Sequence, residues 1–127
     1  MRKQNKYHNI KSSYDGYNFD SLAEVKHYKN LVVLKCAGAI CNFRVHPKYP
    51  LLNTLKTNNQ TYRKKAYIAD FEVVYQDGTV EAWDIKGGQE TITSTFRLKA
   101  HLFCLKYPHI SKSIYRLKRK IYYSANT

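Results

Sequence analysis

Acidic residues are scarce in this chain. Nine Asp and Glu stand against 22 Lys and Arg in 127 residues, a formal charge of +13. No acid follows Glu90, whereas residues 91–127 hold eight Lys and Arg. Such an imbalance points to polyanionic partners. No apolar run reaches the length of a membrane-spanning helix, so no membrane partner is expected. No signal-type apolar segment follows Met1, and a cytoplasmic location is expected. Cys36, Cys41 and Cys104 are odd in number and irregularly spaced, which fits neither a disulfide framework nor a zinc site. Reduced, buried thiols are expected instead. There is no internal repeat, and the length suits one domain, 1–127, around one core.

The few acids present are concentrated. Asp70, Glu72, Asp77, Glu81 and Asp84 are five of the nine. Carboxylates gathered in one short segment of a basic protein repel a polyanion unless a cation lies between them. That combination is expected of a metal-dependent enzyme acting on nucleic acid phosphates.

The segment reads as a hairpin. Residues 67–75 alternate, with Tyr67, Ala69, Phe71, Val73 and Tyr75 on one face and Asp70 and Glu72 on the other. Gln76-Asp77-Gly78 suits a three-residue loop closed by a left-handed Gly. That loop pairs Tyr75 with Thr79, and the same register sets Asp70 opposite Asp84, with Lys86 on the face of Asp84. A two-residue Asp77-Gly78 loop would instead send Asp84 to the other face. Two carboxylates and an ammonium are thus expected on one patch, where a divalent ion would relieve the repulsion. Lys86 would orient the attacking water or stabilise charge on the phosphate. Glu72 is expected to be peripheral, Glu81 to be structural or solvated, and Trp83 to be core.

Around the hairpin, residues 1–13 read as a basic arm and 14–117 as the core. Residues 14–19 read as a small turn with extended flanks. A helix is expected from about Ser21 to Ala37, with Ser21 and Glu24 as a capping box and Leu22, Val25, Tyr28, Val32 and Cys36 as its apolar stripe. Residues 40–45 read as a strand ended by His46-Pro47, which 48–55 extends irregularly, and 56–65 as a basic loop. A second helix is expected over 94–106, a last strand over 114–117, and a basic tail over 118–127. Arg63, Lys64 and Lys65 before the hairpin, and Arg97, Lys99 and Lys106 on the second helix, are candidate phosphate contacts. Solvated faces are the alternative for them. His46 reads as a hydrogen-bonded strand-end residue, with contact to the edge of the site as the alternative.

The order helix, three strands, helix, strand joins Asp70 and Asp84-Ile85-Lys86 in a pattern that resembles the PD-(D/E)xK nuclease superfamily. Tyr14-Asp15-Gly16, Phe19-Asp20-Ser21-x-x-Glu24, Ala69-Asp70-Phe71, Trp83-Asp84-Ile85-Lys86-Gly87, Leu102-Phe103 and Tyr107-Pro108 resemble small phage-encoded endonucleases related to Holliday junction resolvases. Ala69 stands where the superfamily name has Pro. The resemblance implies an α/β fold with a restriction-endonuclease-like αβββαβ core, a central mixed sheet flanked by helices. It implies Mg²⁺, or Mn²⁺ in its place, held by Asp70, Asp84 and the Ile85 carbonyl. Lys86 would serve the nucleophilic water, and Glu24 would contact the metal directly or through water. It further implies endonucleolytic hydrolysis of DNA, branched DNA in particular, by a homodimer acting in recombination, with no small-molecule cofactor. A nicking or other structure-specific nuclease, an inactive DNA-binding protein on a nuclease core, and a basic RNA-binding protein are the competing readings.

Overall fold

The computed structural model describes residues 11–86, 92–116 and 119–123; Gly87, Gly88, Glu90, Leu117, Lys118 and residues 1–10 of the expected arm lie outside them. In chain order the elements are β1 (Ser12–Tyr14), β2 (Tyr17–Phe19), α1 (Leu22–Cys36), β3 (Asn42–Val45), β4 (Lys48–Leu52) and β5 (Leu55–Lys56). There follow β6 (Thr61–Tyr62), β7 (Lys65–Ile68), β8 (Phe71–Val74), β9 (Val80–Ile85), α2 (Ser94–Lys106), β10 (Ile110–Arg116) and β11 (Arg119–Tyr123).

Local chemistry explains the boundaries. Asp15 and Gly16 both take positive φ, 53° and 82°, as a two-residue hairpin turn between β1 and β2 requires. Ser21 caps α1, its Oγ accepting the Glu24 N–H at 3.2 Å. Thr93 caps α2 in the same way through the Phe96 N–H at 3.1 Å. Gly78, at φ 90°, closes the turn between β8 and β9: its N–H donates to the Tyr75 carbonyl, and the Tyr75 N–H donates to that of Thr79. The expected register follows, with Phe71 opposite Trp83 and Val74 opposite Val80.

The fold is mixed α/β. Its central sheet has the order β11-β10-β9-β8-β3, with β9 and β10 parallel and the other neighbours antiparallel. A parallel pair needs a long crossover, and α2 lies within it. Two apolar clusters cover the sheet. Phe71, Val73, Trp83 and Ile85 pack with Val25, Tyr28 and Leu31 of α1. Ala82 and Ile110 pack with Phe103 and Cys104 of α2 and with Tyr49 and Tyr67 of the β4–β7 ribbon. Trp83 and Ala82 are consecutive on β9, so the helices cover opposite faces. No helix among the described residues is long and apolar enough to cross a membrane.

Several expectations are corrected. Residues 67–75 are not one strand. β7 pairs with β4 outside the main sheet, and Tyr67 and Ala69 face α2 while Phe71 and Val73 face α1. Residues 48–52 join that ribbon rather than prolong β3, and the expected loop holds the β5–β6 pair. The segment 119–123, read as tail, forms β11 against β10. The buried face of α1 is Glu24, Val25, Tyr28 and Leu31; Leu22 and Val32 are exposed, because the carboxyl of Glu24 turns inward. Cys36 and Cys41 are exposed rather than buried, and no disulfide links the three cysteines.

Gly78→Ala puts a Cβ into a left-handed conformation at about 1–2 kcal/mol. A lower urea midpoint at unchanged m-value is expected. An unchanged midpoint would show that this turn does not hold the register.

Candidate metal centre

The break between β7 and β8 builds the site. The Asp70 N–H donates to the Trp83 carbonyl at 2.9 Å, although Trp83 is the register partner of Phe71. Two consecutive residues therefore oppose one, the offset of a β-bulge, which re-aims a side chain. Asp70 does not lie flat against Asp84 as an unbroken ladder requires. Its Oδ2 accepts the Ile85 N–H at 2.6 Å, and a carboxylate oxygen of Asp70 lies within 4.8 Å of one from Glu24. Ile85 thus contributes its amide to the site, and its side chain packs in the α1 cluster.

Glu24 reaches the same point from the first turn of α1. Its Oε2 accepts from Ser21 Oγ at 3.2 Å, so the capping role and the site role coexist. Its Oε1 is buried and has no hydrogen-bond partner among the described residues. His46 Nε2 lies 3.8 Å from that oxygen. One ligand atom each from Glu24, His46 and Asp70 lie within 4.8 Å of one another. His46 adopts φ 52°, and its N–H donates to the Asp70 carbonyl at 2.9 Å. A left-handed non-Gly residue is strained by about 1–3 kcal/mol, and such residues gather at functional sites.

Asp84 points to the other side of the sheet. It is 5% exposed and forms an ion pair with Lys112, which is 0% exposed. Lys112 Nζ also lies over the rings of Tyr67 at 4.4 Å and Phe96 at 5.3 Å. Lys86 shares this side, its Nζ 4.5 Å from the Phe96 ring centre. Two arrangements result: a Glu24–His46–Asp70 cluster towards α1, and an Asp84–Lys112 pair towards α2.

The electrostatics follow from burial. Loss of water, then the Asp70 carboxylate, pushes the Glu24 carboxyl from 4.5 up to about 8. Burial also raises Asp70, against the Ile85 amide and the charge of Lys86. It lifts Asp84 to about 7, with Lys86 and the Asp70 amide opposing, and it depresses Lys112 to about 7. Contact between Asp84 and Lys112 opposes both of these last shifts.

The other hairpin acids serve structure. Burial would raise Glu72, but Arg44, in a two-point ion pair at 3.0 and 2.7 Å, and the Tyr49 hydroxyl outweigh it, so its pKa is lowered. Glu81 accepts from Trp83 Nε1 at 3.2 Å, Ser113 Oγ at 3.0 Å and the Tyr75 hydroxyl. Asp77 Oδ1 holds the turn through the Thr79 N–H and hydroxyl at 3.0 and 2.7 Å. Arg63, Lys64, Lys65, Arg97 and Lys106 are exposed and Lys99 is half-buried, none of them a member of either arrangement.

Lys112 escaped the sequence reading, and His46 entered it only as the alternative to a hydrogen-bonded strand-end residue. Lys112 lies two residues beyond the buried Ile110 on the same strand and so shares its face, which marks a buried lysine and therefore one in need of a partner. His46 lies 24 residues before Asp70 and outside the motif, but β3 pairs with β8 so that Val45 meets Phe71 and His46 comes next to Asp70.

Without divalent cations, Glu24 contributes stability in full below its unfolded pKa of 4.5, and loses it as pH rises to about 8. Raised Asp70 and Asp84 act in the same sense, while depressed Lys112 adds stability only as pH climbs from about 7 towards 10.5. The melting temperature should therefore fall between about pH 5 and 7, and Glu24→Gln should flatten that slope. An equal slope in the variant would contradict the assignment.

The family described as "Protein of unknown function (DUF1064)" matches residues 4–124. No curated protein matches the chain significantly. A solved structure, the crystal structure of SSO0001, is 13% identical with a TM-score of 0.41, covering 80% of this chain. The chain spans 48% of that protein's length, and a likeness of this size carries no argument. With 4–124 matched, the chain belongs to the DUF1064 family.

Proposed function

We propose that the chain is a divalent-metal-dependent DNA endonuclease with a restriction-endonuclease-like core. The observation that carries this reading is the Glu24–Asp70 pair. A buried carboxyl, Glu24, faces a half-buried one, Asp70, inside a protein of charge +13, and among the described residues one Glu24 oxygen lacks a donor. An orphaned buried acceptor beside a second carboxylate and an imidazole fits a cation better than a proton donor. Glu24, Asp70 and His46 would hold Mg²⁺ or Mn²⁺, and the imidazole favours Mn²⁺. When bound, the ion supplies Lewis-acid stabilisation of charge on the phosphate oxygens.

The element order α1, β3, β8, β9, α2, β10 supports the αβββαβ core, and Asp70 with Asp84-Ile85-Lys86 supports the PD-(D/E)xK reading. Lys86 would donate hydrogen bonds to the attacking water or to a phosphate oxygen. Hydrolysis would break the bond between phosphorus and the 3′-oxygen, which takes a proton, leaving 5′-phosphate and 3′-hydroxyl ends. Branched DNA and a homodimer with two sites belong to this proposal through the resemblance to junction resolvases. Arg63, Lys64, Lys65, Arg97, Lys99 and Lys106 are its candidate phosphate contacts.

The Asp84–Lys112 pair favours a second reading, a DNA-binding protein that does not cut. A labelled four-way junction, linear duplex, single strand and RNA, each in Mg²⁺, Mn²⁺ or EDTA, separate the two. The proposal expects metal-dependent cutting of the junction ahead of linear duplex, reduced about 100-fold or more by Asp70→Asn or Lys86→Ala. Binding without cutting in either metal would establish the second reading.

A further inference from the structure

We infer that Lys112 is a built-in counter-cation that keeps Asp84 out of metal coordination, so that the chain takes one divalent ion, at Glu24, His46 and Asp70. The inference rests on the metal-dependent reading above and departs from its expected ligand set.

The two carboxylates of the signature stand in opposite conditions. Asp84 already has the Lys112 side chain in contact with it as an ion pair. That ammonium is wholly enclosed, with Tyr67 and Phe96 rings over Nζ at 4.4 and 5.3 Å. It cannot swing to solvent without displacing those rings, as an exposed lysine would. A dication on Asp84 would therefore meet an ammonium with no water between them. Lys86, over the same Phe96 ring, adds a second positive charge on that side.

Among the described residues no ammonium is in contact with Glu24 or Asp70, although the charge of Lys86 reaches Asp70. Glu24 Oε1 is buried without a donor, and His46 Nε2 stands 3.8 Å away, beyond hydrogen-bond reach. Ligands about 2.1 Å from one octahedral ion lie roughly 3 to 4 Å apart. The three ligand atoms, within 4.8 Å of one another, need a closure of less than about 1 Å to reach that spacing. The His46 backbone is tied to the Asp70 carbonyl and Glu24 is fixed by its helix cap, so the group is held before the ion arrives.

Mn²⁺ binding to the full chain, followed by calorimetry and by the electron paramagnetic resonance of free Mn²⁺, tests this. One ion per chain is expected. Glu24→Gln and His46→Ala should each weaken binding about tenfold or more, whereas Asp84→Asn should change it less than about threefold. Lys112→Met leaves Asp84 without its cation and should raise the stoichiometry to two. The double variant Lys112→Met with Asp84→Asn, which buries no unpaired charge, should return it to one. Two ions on the unaltered chain, or a loss in Asp84→Asn equal to that in Glu24→Gln, would overturn the inference. So would a folded Lys112→Met that still takes one ion. One ion bound by Glu24 and Asp70 with no cutting of any substrate would remove the nuclease reading and leave the inference standing. No binding at all would remove both.

Discussion

The structure turns on two neighbouring carboxyls, the buried Glu24 and the half-buried Asp70. Like charges in low dielectric are unfavourable, and loss of water together with the Asp70 carboxylate pushes the Glu24 carboxyl up to about 8. Every neighbouring feature serves that contact. The bulge at Asp70 swings its side chain towards α1, the Ser21 cap brings Glu24 into the core, and the left-handed His46 lays an imidazole beside them. A protein needing only a stable core would do better with apolar residues here, since buried ionisable groups seldom add net stability.

The second charged arrangement differs in kind. Asp84 and Lys112 satisfy one another across the parallel pair β9 and β10, sealed by aromatic rings. Of the five hairpin acids, Glu72, Asp77 and Glu81 are held by hydrogen bonds from Arg44, Tyr49, Thr79, Ser113 and others. Concentration of acids in sequence therefore overstates concentration in space. Two of the five stand at the centre of the sheet, and they look to opposite faces of it.

Much of this was legible. Gln76-Asp77-Gly78 gave the turn and hence the register, because a left-handed Gly and the Asp77 side chain fix both from local chemistry. Ser21 with Glu24 gave the start of α1, and residues 94–106 gave α2 to the residue. What escaped depends on long-range packing. Tyr67 and Ala69 alternate with Phe71 in sequence, yet the bulge sends them to the opposite apolar cluster. The β4–β7 ribbon has no local signal, since Lys48 and Pro50 read as an irregular extension of the strand before them and Lys65 as loop until each strand finds the other. Lys112 sat among eight basic residues of a cationic third, and only its strand register separates it from the solvated ones.

The most direct measurement is a crystal structure grown with Mn²⁺ and recorded at the manganese absorption edge. The account predicts one anomalous peak, bonded to Glu24 and Asp70 with His46 as a further ligand, and Lys112 still in contact with Asp84. A peak on Asp84 with Lys112 displaced, or none beside Glu24 and Asp70, would contradict it.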